Sequence, residues 1–236
     1  MAEGLVVVNW GMRTLSLAAL VILCVALPLA QTEEAQRIGA ATTVLREIMG
    51  AGDRSVPRGI MEKAEGIAVF PSLLKGGFIV GGQFGRGVMS VRDRSAGTWS
   101  SPAFLTVGGG SFGLQIGGQA VDLVLVVQDR RGLEQLVRNQ FKIGADASVA
   151  AGPVGRDASA ATDIQMRAKI LSYSRTRGVF AGVTLNGTTI AEDRDANGRF
   201  YGTSYTTRQI VFEHRGGAPE PVAAWLAALS RHAAAR

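Results

Sequence analysis

The pattern of apolar and polar positions predicts four helices. Between Glu33 and Met49 apolar residues recur at helical spacing, and the glycines at 50 and 52 end the run. The other three predicted helices are Ser55–Ala64, Arg130–Lys142 and Pro219–Ala234.

Short apolar or alternating runs predict strands between these helices, separated by glycine clusters and by a turn at Asp93–Gly97. Glycine within strands usually marks a bulge, strong coiling or a close approach of two backbones. We therefore expect an α+β domain with a glycine-rich, strongly curved, mostly antiparallel sheet or small barrel, flanked by N-terminal, central and C-terminal helices. The predicted strands are Ile67–Phe70, Gly76–Gln83, Gly87–Arg92, Ala103–Val107, Ser111–Gly117, Val121–Gln128, Ala145–Ala151, Lys169–Thr176 and Val179–Leu185.

The segment Leu15–Leu29 is almost purely apolar, with Arg13 before it and polar residues after it, as in a signal peptide. It is short for a transmembrane helix, which needs about 20 residues. A cut after Ala30 would place Pro28 at the minus-three position, which is unfavourable. A cleaved signal, a retained anchor and a buried cytosolic helix therefore stay open as alternatives. We expect residues 1–30 to direct export to the periplasm or the envelope membrane, and residues 31–236 to form one domain.

Composition narrows the chemistry of that domain. The chain has 236 residues, of which 47% are hydrophobic and 19% charged, as in globular proteins. Its single cysteine, Cys24, lies in the apolar segment, so the domain has no disulfide and no thiolate nucleophile. The net charge of +6 suits an anionic membrane surface or nucleic acid. Nucleic acid is disfavoured, because basic runs with interleaved aromatic residues are missing.

Two catalytic or nucleotide motifs overlap in one glycine-rich stretch. Gly108, Gly110 and Gly113 fit G-x-G-x-x-G, and Ser111 between Gly109 and Gly113 fits G-x-S-x-G. Both motifs require the turn to run directly into a helix. Here apolar and polar residues continue to alternate as in a strand, so we expect no enzyme and no cofactor. A serine esterase that adds the downstream Asp193 and His214 is kept as a remote alternative.

An acidic stretch resembles the start of a calcium loop, with Asp193, Asp195 and Asn197 at the expected spacing. Ser204 occupies the position at which such a loop needs a bidentate Glu. We expect a solvated acidic turn and no metal site, with these three residues as a weak calcium candidate.

Taken in order, nine segments of the chain resemble the SYLF domain, a lipid-binding family related to actin regulators. The resemblance covers the motif core 64–202. The matching segments are Ala64–Pro71, Gly76–Gly82, Gly85–Val88, Trp99–Phe104, Ser111–Gly117, Asp122–Val126, Ala151–Gly155, Ser172–Ser174 and Gly178–Leu185, with Asn197, Tyr201 and Gly202 closing the series.

The resemblance implies a non-enzymatic domain that binds membranes, with bacterial members mostly exported. Because the sequence shows no SH3 or FYVE partner domain, we expect that actin binding does not carry over. An envelope protein partner is the alternative to lipid, which would make the domain a structural or interaction module. We expect cations to hold anionic phospholipid headgroups; the candidates are Lys75, Arg86, Arg92 and Arg94 near the strands and Arg37, Arg46, Arg54 and Arg58 near the helices.

Overall fold

The computed structural model describes residues 33–77, 80–112, 119–138, 140–143, 148–155, 168–176, 179–182, 185, 187–217 and 220–233. The predicted signal or anchor segment Leu15–Leu29 lies outside the described residues, as do residues 113–117 of the predicted strand Ser111–Gly117. No helix among the described residues is long and apolar enough to cross a membrane.

Six α-helices and a 3-10 turn are present in the described ranges. The predicted first helix is confirmed as α1 (33–49), and its residues Ile38, Leu45 and Ile48 are at most 1% exposed. The remaining helical elements are the 3-10 turn Gly52–Arg54, α2 (Arg58–Lys63), α3 (Arg130–Leu136), α4 (Arg194–Tyr201), α5 (Thr207–Phe212) and α6 (Glu220–His232).

The strands form one sheet with the order β6-β10-β4-β2-β1-β5-β8-β7, to which β3 adds on β2 and β9 on β8. All neighbouring strands are antiparallel except β7 and β8. The strands are β1 (Gly66–Gly77), β2 (Val80–Asp93), β3 (Thr98–Trp99), β4 (Ala103–Phe112), β5 (Gln119–Val127), β6 (Gln140–Lys142), β7 (Val149–Ala151), β8 (Ile170–Thr176), β9 (Val179–Gly182) and β10 (Thr188–Glu192).

A bulge in β1 and a close backbone approach in β2 produce strong curvature. The pairing register of β1 shifts between Val69 and Leu74, and Ser72 within this bulge has a positive φ of 52°. Its N–H donates to the carboxylate of Asp122 at 2.9 Å. A Cβ atom at Gly87 would overlap the Val69 carbonyl, so only glycine allows the strands to approach there. The predicted α+β fold with a strongly curved sheet is confirmed, and the sheet forms a half-barrel.

Side chains that alternate along each strand cover the two faces of the sheet. We call the face that carries Val69 and Val88 the α1 face, because it packs against α1, α2 and α6. The opposite face, with Phe70 and Met89, packs against α3, α5 and β6 and is called the α3 face. Trp225 of α6 is fully buried, and its Nε1 donates to Ser90 Oγ at 2.8 Å.

Several segments differ from the sequence-based prediction. The single strand predicted over Gly76–Gln83 instead comprises the end of β1 and the start of β2, which pair with each other. The helix predicted over Arg130–Lys142 ends at Leu136, and residues 140–142 form β6, which pairs with β10. Phe141 is fully buried in β6, so its apolar character reflects a strand and not the continuation of α3. The acidic turn predicted around Asp193 is a helix, α4, and it is followed by a further helix, α5.

Candidate functional site

A buried carboxylate fixes α1 to α4. Glu34 is 0% exposed, and its Oε1 accepts hydrogen bonds from Nε and Nη2 of Arg199 at 2.9 and 2.7 Å. The hydrogen bond with Glu34 is the main cause that raises the pKa of Arg199. The contact joins positions that lie far apart in sequence. It therefore fixes where the N-terminal end of α1 lies on the sheet.

Arg37, one of the predicted headgroup-binding cations, belongs to the same contact region. Its Nη1 donates to Asp193 Oδ2 at 2.8 Å, and its guanidinium lies 5.2 Å from the centre of the Phe104 ring. The side chain is only 6% exposed. A buried, ion-paired guanidinium contributes to the folded structure and is not accessible to a lipid headgroup.

The weak calcium candidate is not gathered into a cation site. Asp193 caps α4 by accepting from the Ala196 N–H at 3.1 Å, and Asn197 Oδ1 accepts from the Phe104 N–H at 2.9 Å. Asp195 is exposed in the first turn of the helix. Among the described residues, no three His, Cys, Asp or Glu side chains are placed to hold a metal ion.

Arg92 is also buried, at 4% exposure. Its Nη2 donates to the carbonyl oxygens of Met61, at 3.1 Å, and of Ala233, and the guanidinium lies 4.9 Å from the Trp99 ring centre. Desolvation is the main cause that lowers the pKa of this arginine. Arg92 thus connects β2 to the ends of α2 and α6.

The other three cations near the strands differ in what surrounds them. Arg94 is exposed and forms an ion pair with Glu65 at 2.7 Å. Arg86 is exposed and pairs with Glu33 at the start of α1. Lys75 is partly buried, and desolvation lowers its pKa. The sequence indicated none of these differences, because the partners Glu65 and Glu33 lie far along the chain from the two arginines that they bind.

The cations predicted near the helices include a group that the structure leaves exposed. Arg46, Arg54 and Arg58 are all exposed, and Arg58 lines a surface cavity of about 480 Å³ together with Val56 and other residues after α1. Arg46 acts electrostatically on His232, near the end of α6.

Arg46, near the C-terminal end of α1, interacts electrostatically with His232 at the C-terminal end of α6, as does Arg231, and we call these three residues the basic patch. Burial, and then the charges of Arg231 and Arg46, lower the pKa of His232. Both arginines are exposed, and within the described part of the chain neither has a carboxylate at ion-pair distance. Sequence reasoning identified Arg46 but missed Arg231 and His232, which only the packing of the two helices brings close.

An exposed apolar pair was not predicted from the sequence. Leu74 and Phe84 face each other across β1 and β2 and are 61% and 52% exposed. Both residues lie between predicted strands, so the sequence pattern gave no expectation for their exposure. The bulge in β1 sets which side of the strand Leu74 occupies, and the sequence does not reveal it.

The serine esterase alternative has no geometric support. Ser111 and Phe112 both lie in β4, opposite Gly81 and Val80 of β2, so the residue after Ser111 is still in a strand. His214 lies 3.5 Å from Asp93, whereas Asp193 binds Arg37. The first two glycines of the nucleotide-type motif are likewise strand residues of β4.

The fold is an α+β domain with a curved sheet and helices on both faces. A sequence profile described as "Ysc84: Las17-binding protein actin regulator" matches residues 108–232, which is more than half of the chain. The chain belongs to the Ysc84 family, which confirms the resemblance to the SYLF domain.

Similar eukaryotic proteins extend this assignment. The chain is 33% identical over 184 residues to LAS seventeen-binding protein 3 of Saccharomyces cerevisiae, covering 77% of the chain and 39% of that protein. It is 32% identical over 204 residues to the SH3 domain-containing protein PJ696.02 of Schizosaccharomyces pombe, covering 84% and 46%. For the human SH3 domain-containing YSC84-like protein 1, identity is 30% over 190 residues, covering 78% and 54%. The chain therefore spans about half or less of the length of these relatives.

The expectation that actin binding does not carry over to this chain is wrong. The family description names an actin regulator that binds Las17, and the name of the yeast relative refers to the same binding. The match does not depend on an SH3 domain, because residues 108–232 lie within the α+β domain.

Proposed function

We propose that the domain is a non-catalytic module that binds anionic lipid headgroups at the membrane of the cell envelope after export. The observation that supports this proposal is the basic patch Arg46–Arg231–His232, which has exposed cations without carboxylate partners among the described residues. Each cation near an anionic membrane contributes about 1 kcal/mol. The family description, which refers to binding and regulation and not to a reaction, supports a non-enzymatic role.

The burial of two other cations refines the proposed contact. Arg37 and Arg92 are engaged in buried contacts, so we do not assign headgroups to them. Of the predicted cations, Arg46 is exposed and lies near other basic groups, and this arrangement favours binding of a phosphate. The neighbouring cavity beside Arg58 offers a partly apolar wall.

Flotation of the full chain with vesicles of phosphatidylcholine, with or without phosphatidylglycerol, tests this proposal. At limiting lipid and low salt, the double variant Arg46→Gln/Arg231→Gln should bind anionic vesicles about 30-fold more weakly than the parent chain. Binding to neutral vesicles should not change, because any contribution from the apolar N-terminal segment is the same in both chains.

The matched control removes two exposed arginines from the other side of the sheet. Arg131 and Arg138 lie within or just after α3, and both are exposed. The double variant Arg131→Gln/Arg138→Gln changes the net charge equally and should retain most of the affinity. Equal losses in both double variants would mean that net charge, and not the patch, drives binding, and the proposal would be rejected.

A protein partner of the actin-regulating class is the second candidate function. The names of the family and of the yeast relative support it, together with 33% identity over 184 residues. Co-sedimentation of the purified full chain with filamentous actin is the direct test. Saturable sedimentation in the absence of lipid would favour this candidate, and no sedimentation at any actin concentration would exclude direct actin binding.

A further inference from the structure

Leu74 and Phe84 form an apolar pair that stands out from the sheet. The next strands on either side place small residues beside them, since Leu74 pairs with Ala120 of β5 and Phe84 with Gly108 of β4. Large side chains flanked by small ones project above their neighbours. Such an exposed pair leaves apolar surface in water unless another structure covers it.

The pair lies on the α1 face, beyond the part that the helices cover. In β2, Phe84, Arg86 and Val88 point to the same side because strand side chains alternate. Val88 is buried in the layer beneath α1, whereas Arg86 is exposed and contacts Glu33 in the first turn of α1. Phe84 is two residues further along the strand, so it lies about 7 Å beyond the residue that α1 contacts first.

The N-terminal end of α1, at Glu33, therefore lies on the side of the sheet that carries this pair. The apolar segment Leu15–Leu29 is separated from Glu33 by only Ala30, Gln31 and Thr32. Even fully extended, the four steps from Leu29 to Glu33 span at most about 14 Å. A bilayer that holds the apolar segment would then lie within reach of Leu74 and Phe84.

We propose that Leu74 and Phe84 insert into the acyl-chain region of the bilayer that holds Leu15–Leu29, with Arg86 at the level of the headgroups. The inference rests on the proposed membrane function, and it specifies which surface enters the lipid. An apolar pair with a cation two residues away suits the boundary between acyl chains and phosphates. This part of the sheet orients the domain on the membrane in addition to the N-terminal segment.

A fluorescent label attached at position 84 reports directly whether this position lies in lipid or in water. In the full chain, Cys24→Ser removes the native thiol, and Phe84→Cys then carries an environment-sensitive label. Ala96→Cys carries the same label as a control, because Ala96 is exposed in the turn after β2, at the far end of this strand. Both chains are reconstituted into vesicles of phosphatidylcholine and phosphatidylglycerol.

We expect the label at position 84 to emit at shorter wavelength and to be quenched by lipids that carry doxyl groups on their acyl chains. The label at position 96 should be quenched by aqueous iodide instead. Quenching of the position 84 label by iodide alone would overturn the inference. Protection from both quenchers would also overturn it, since protein would then cover the pair, from a second copy or from the N-terminal segment of the same chain.

A second variant tests the energetic contribution without a label. Leu74→Ser/Phe84→Ser changes only exposed side chains, so its unfolding should match that of the parent chain. Its affinity for vesicles should fall at least about tenfold, in neutral and anionic vesicles alike, because apolar burial does not depend on headgroup charge. Unchanged affinity would reject the insertion of Leu74 and Phe84. Equal affinity of the parent chain for neutral and anionic vesicles would instead reject the proposed headgroup binding.

Discussion

The carboxylate of Glu34 is completely buried, and the guanidinium of Arg199 that binds it is 42% exposed. Removing the arginine should therefore change the free energy of unfolding by a different amount than removing the carboxylate. A buried charge without a partner is costly, whereas a partly exposed guanidinium can be solvated by water. Glu34 Oε2 has no hydrogen-bond partner in the described contacts, which makes the carboxylate still more dependent on Arg199.

We predict that Arg199→Ala lowers the free energy of unfolding by about 3–5 kcal/mol, because it leaves the carboxylate of Glu34 buried and unpaired. Glu34→Ala should lower it by only about 1–2 kcal/mol, because the remaining arginine stays solvated. Urea denaturation of both variants and of the double variant measures the difference. A double variant that is less stable than Arg199→Ala alone would contradict this account.

Gly87 and Gly82 provide a matched pair of substitutions in one strand. A Cβ at Gly87 would lie 2.5 Å from Phe70 Cδ1 and would also overlap the Val69 carbonyl, whereas nothing lies within 4 Å of a Cβ at Gly82. We predict that Gly87→Ala destabilises the fold by about 3 kcal/mol or more, since backbone cannot move aside cheaply. Gly82→Ala should be neutral or slightly stabilising. Thermal unfolding of the two variants gives the comparison, and equal melting temperatures would refute the close approach of β1 and β2.

The lowered pKa of His232 predicts a dependence of stability on pH. Because the folded-state pKa lies below the unfolded value of about 6.5, the unfolded chain binds more protons in the interval between them. Stability should therefore decrease as the pH falls from about 7 into that interval. His232→Gln should remove this part of the decrease, which urea denaturation at several pH values measures.

The charge of Arg231 accounts for part of the same shift. Arg231→Gln should raise the pKa of His232, and NMR titration of the imidazole would show it. Vesicles that contain phosphatidylglycerol should raise this pKa further if phosphates bind the patch. A pKa of His232 that anionic vesicles leave unchanged would count against the proposed headgroup site.

Arg92 joins the end of α6 to the sheet, because its guanidinium binds the Ala233 and Met61 carbonyl oxygens. We predict that Arg92→Gln accelerates hydrogen exchange in α6 more than in β1 or β5, since the shorter amide cannot reach both carbonyls. The loss of overall stability should be about 2–3 kcal/mol. Arg94→Gln is the control, as Arg94 is an exposed neighbour with a single surface ion pair. Uniform acceleration in both variants would show that Arg92 does not hold α6 in particular.

The sequence predicted most strands and the first and last helices, because their apolar periods are long enough to be distinctive. It missed β3, β6, β10, α4 and α5, which are all short. The Thr206–Gln209 capping box at the start of α5 was a usable signal. In α4, burial of Asn197 and Phe200 depends on contacts with β4, and these contacts appear only in the folded chain.

The candidate site was less predictable than the fold. All eight predicted cations looked equivalent in sequence, yet Arg37 and Arg92 are buried while Arg46 is exposed beside other positive groups. Whether a cation is buried depends on long-range partners such as Asp193 and the Ala233 carbonyl. The exposure of Leu74 depends on the β1 bulge, whose position the residue pattern did not specify.

The strand order also determines where this chain can be divided. The profile match begins at residue 108, inside β4, yet β4 and β5 are joined in the sheet only through β2 and β1. A fragment that starts at residue 108 would lack β1 and β2, the two strands between β4 and β5. The edges of β4 and β5 that pair with β2 and β1 would then be unpaired. Unpaired edges promote association between chains. Fragments for expression should therefore begin before β1, so that both middle strands are included.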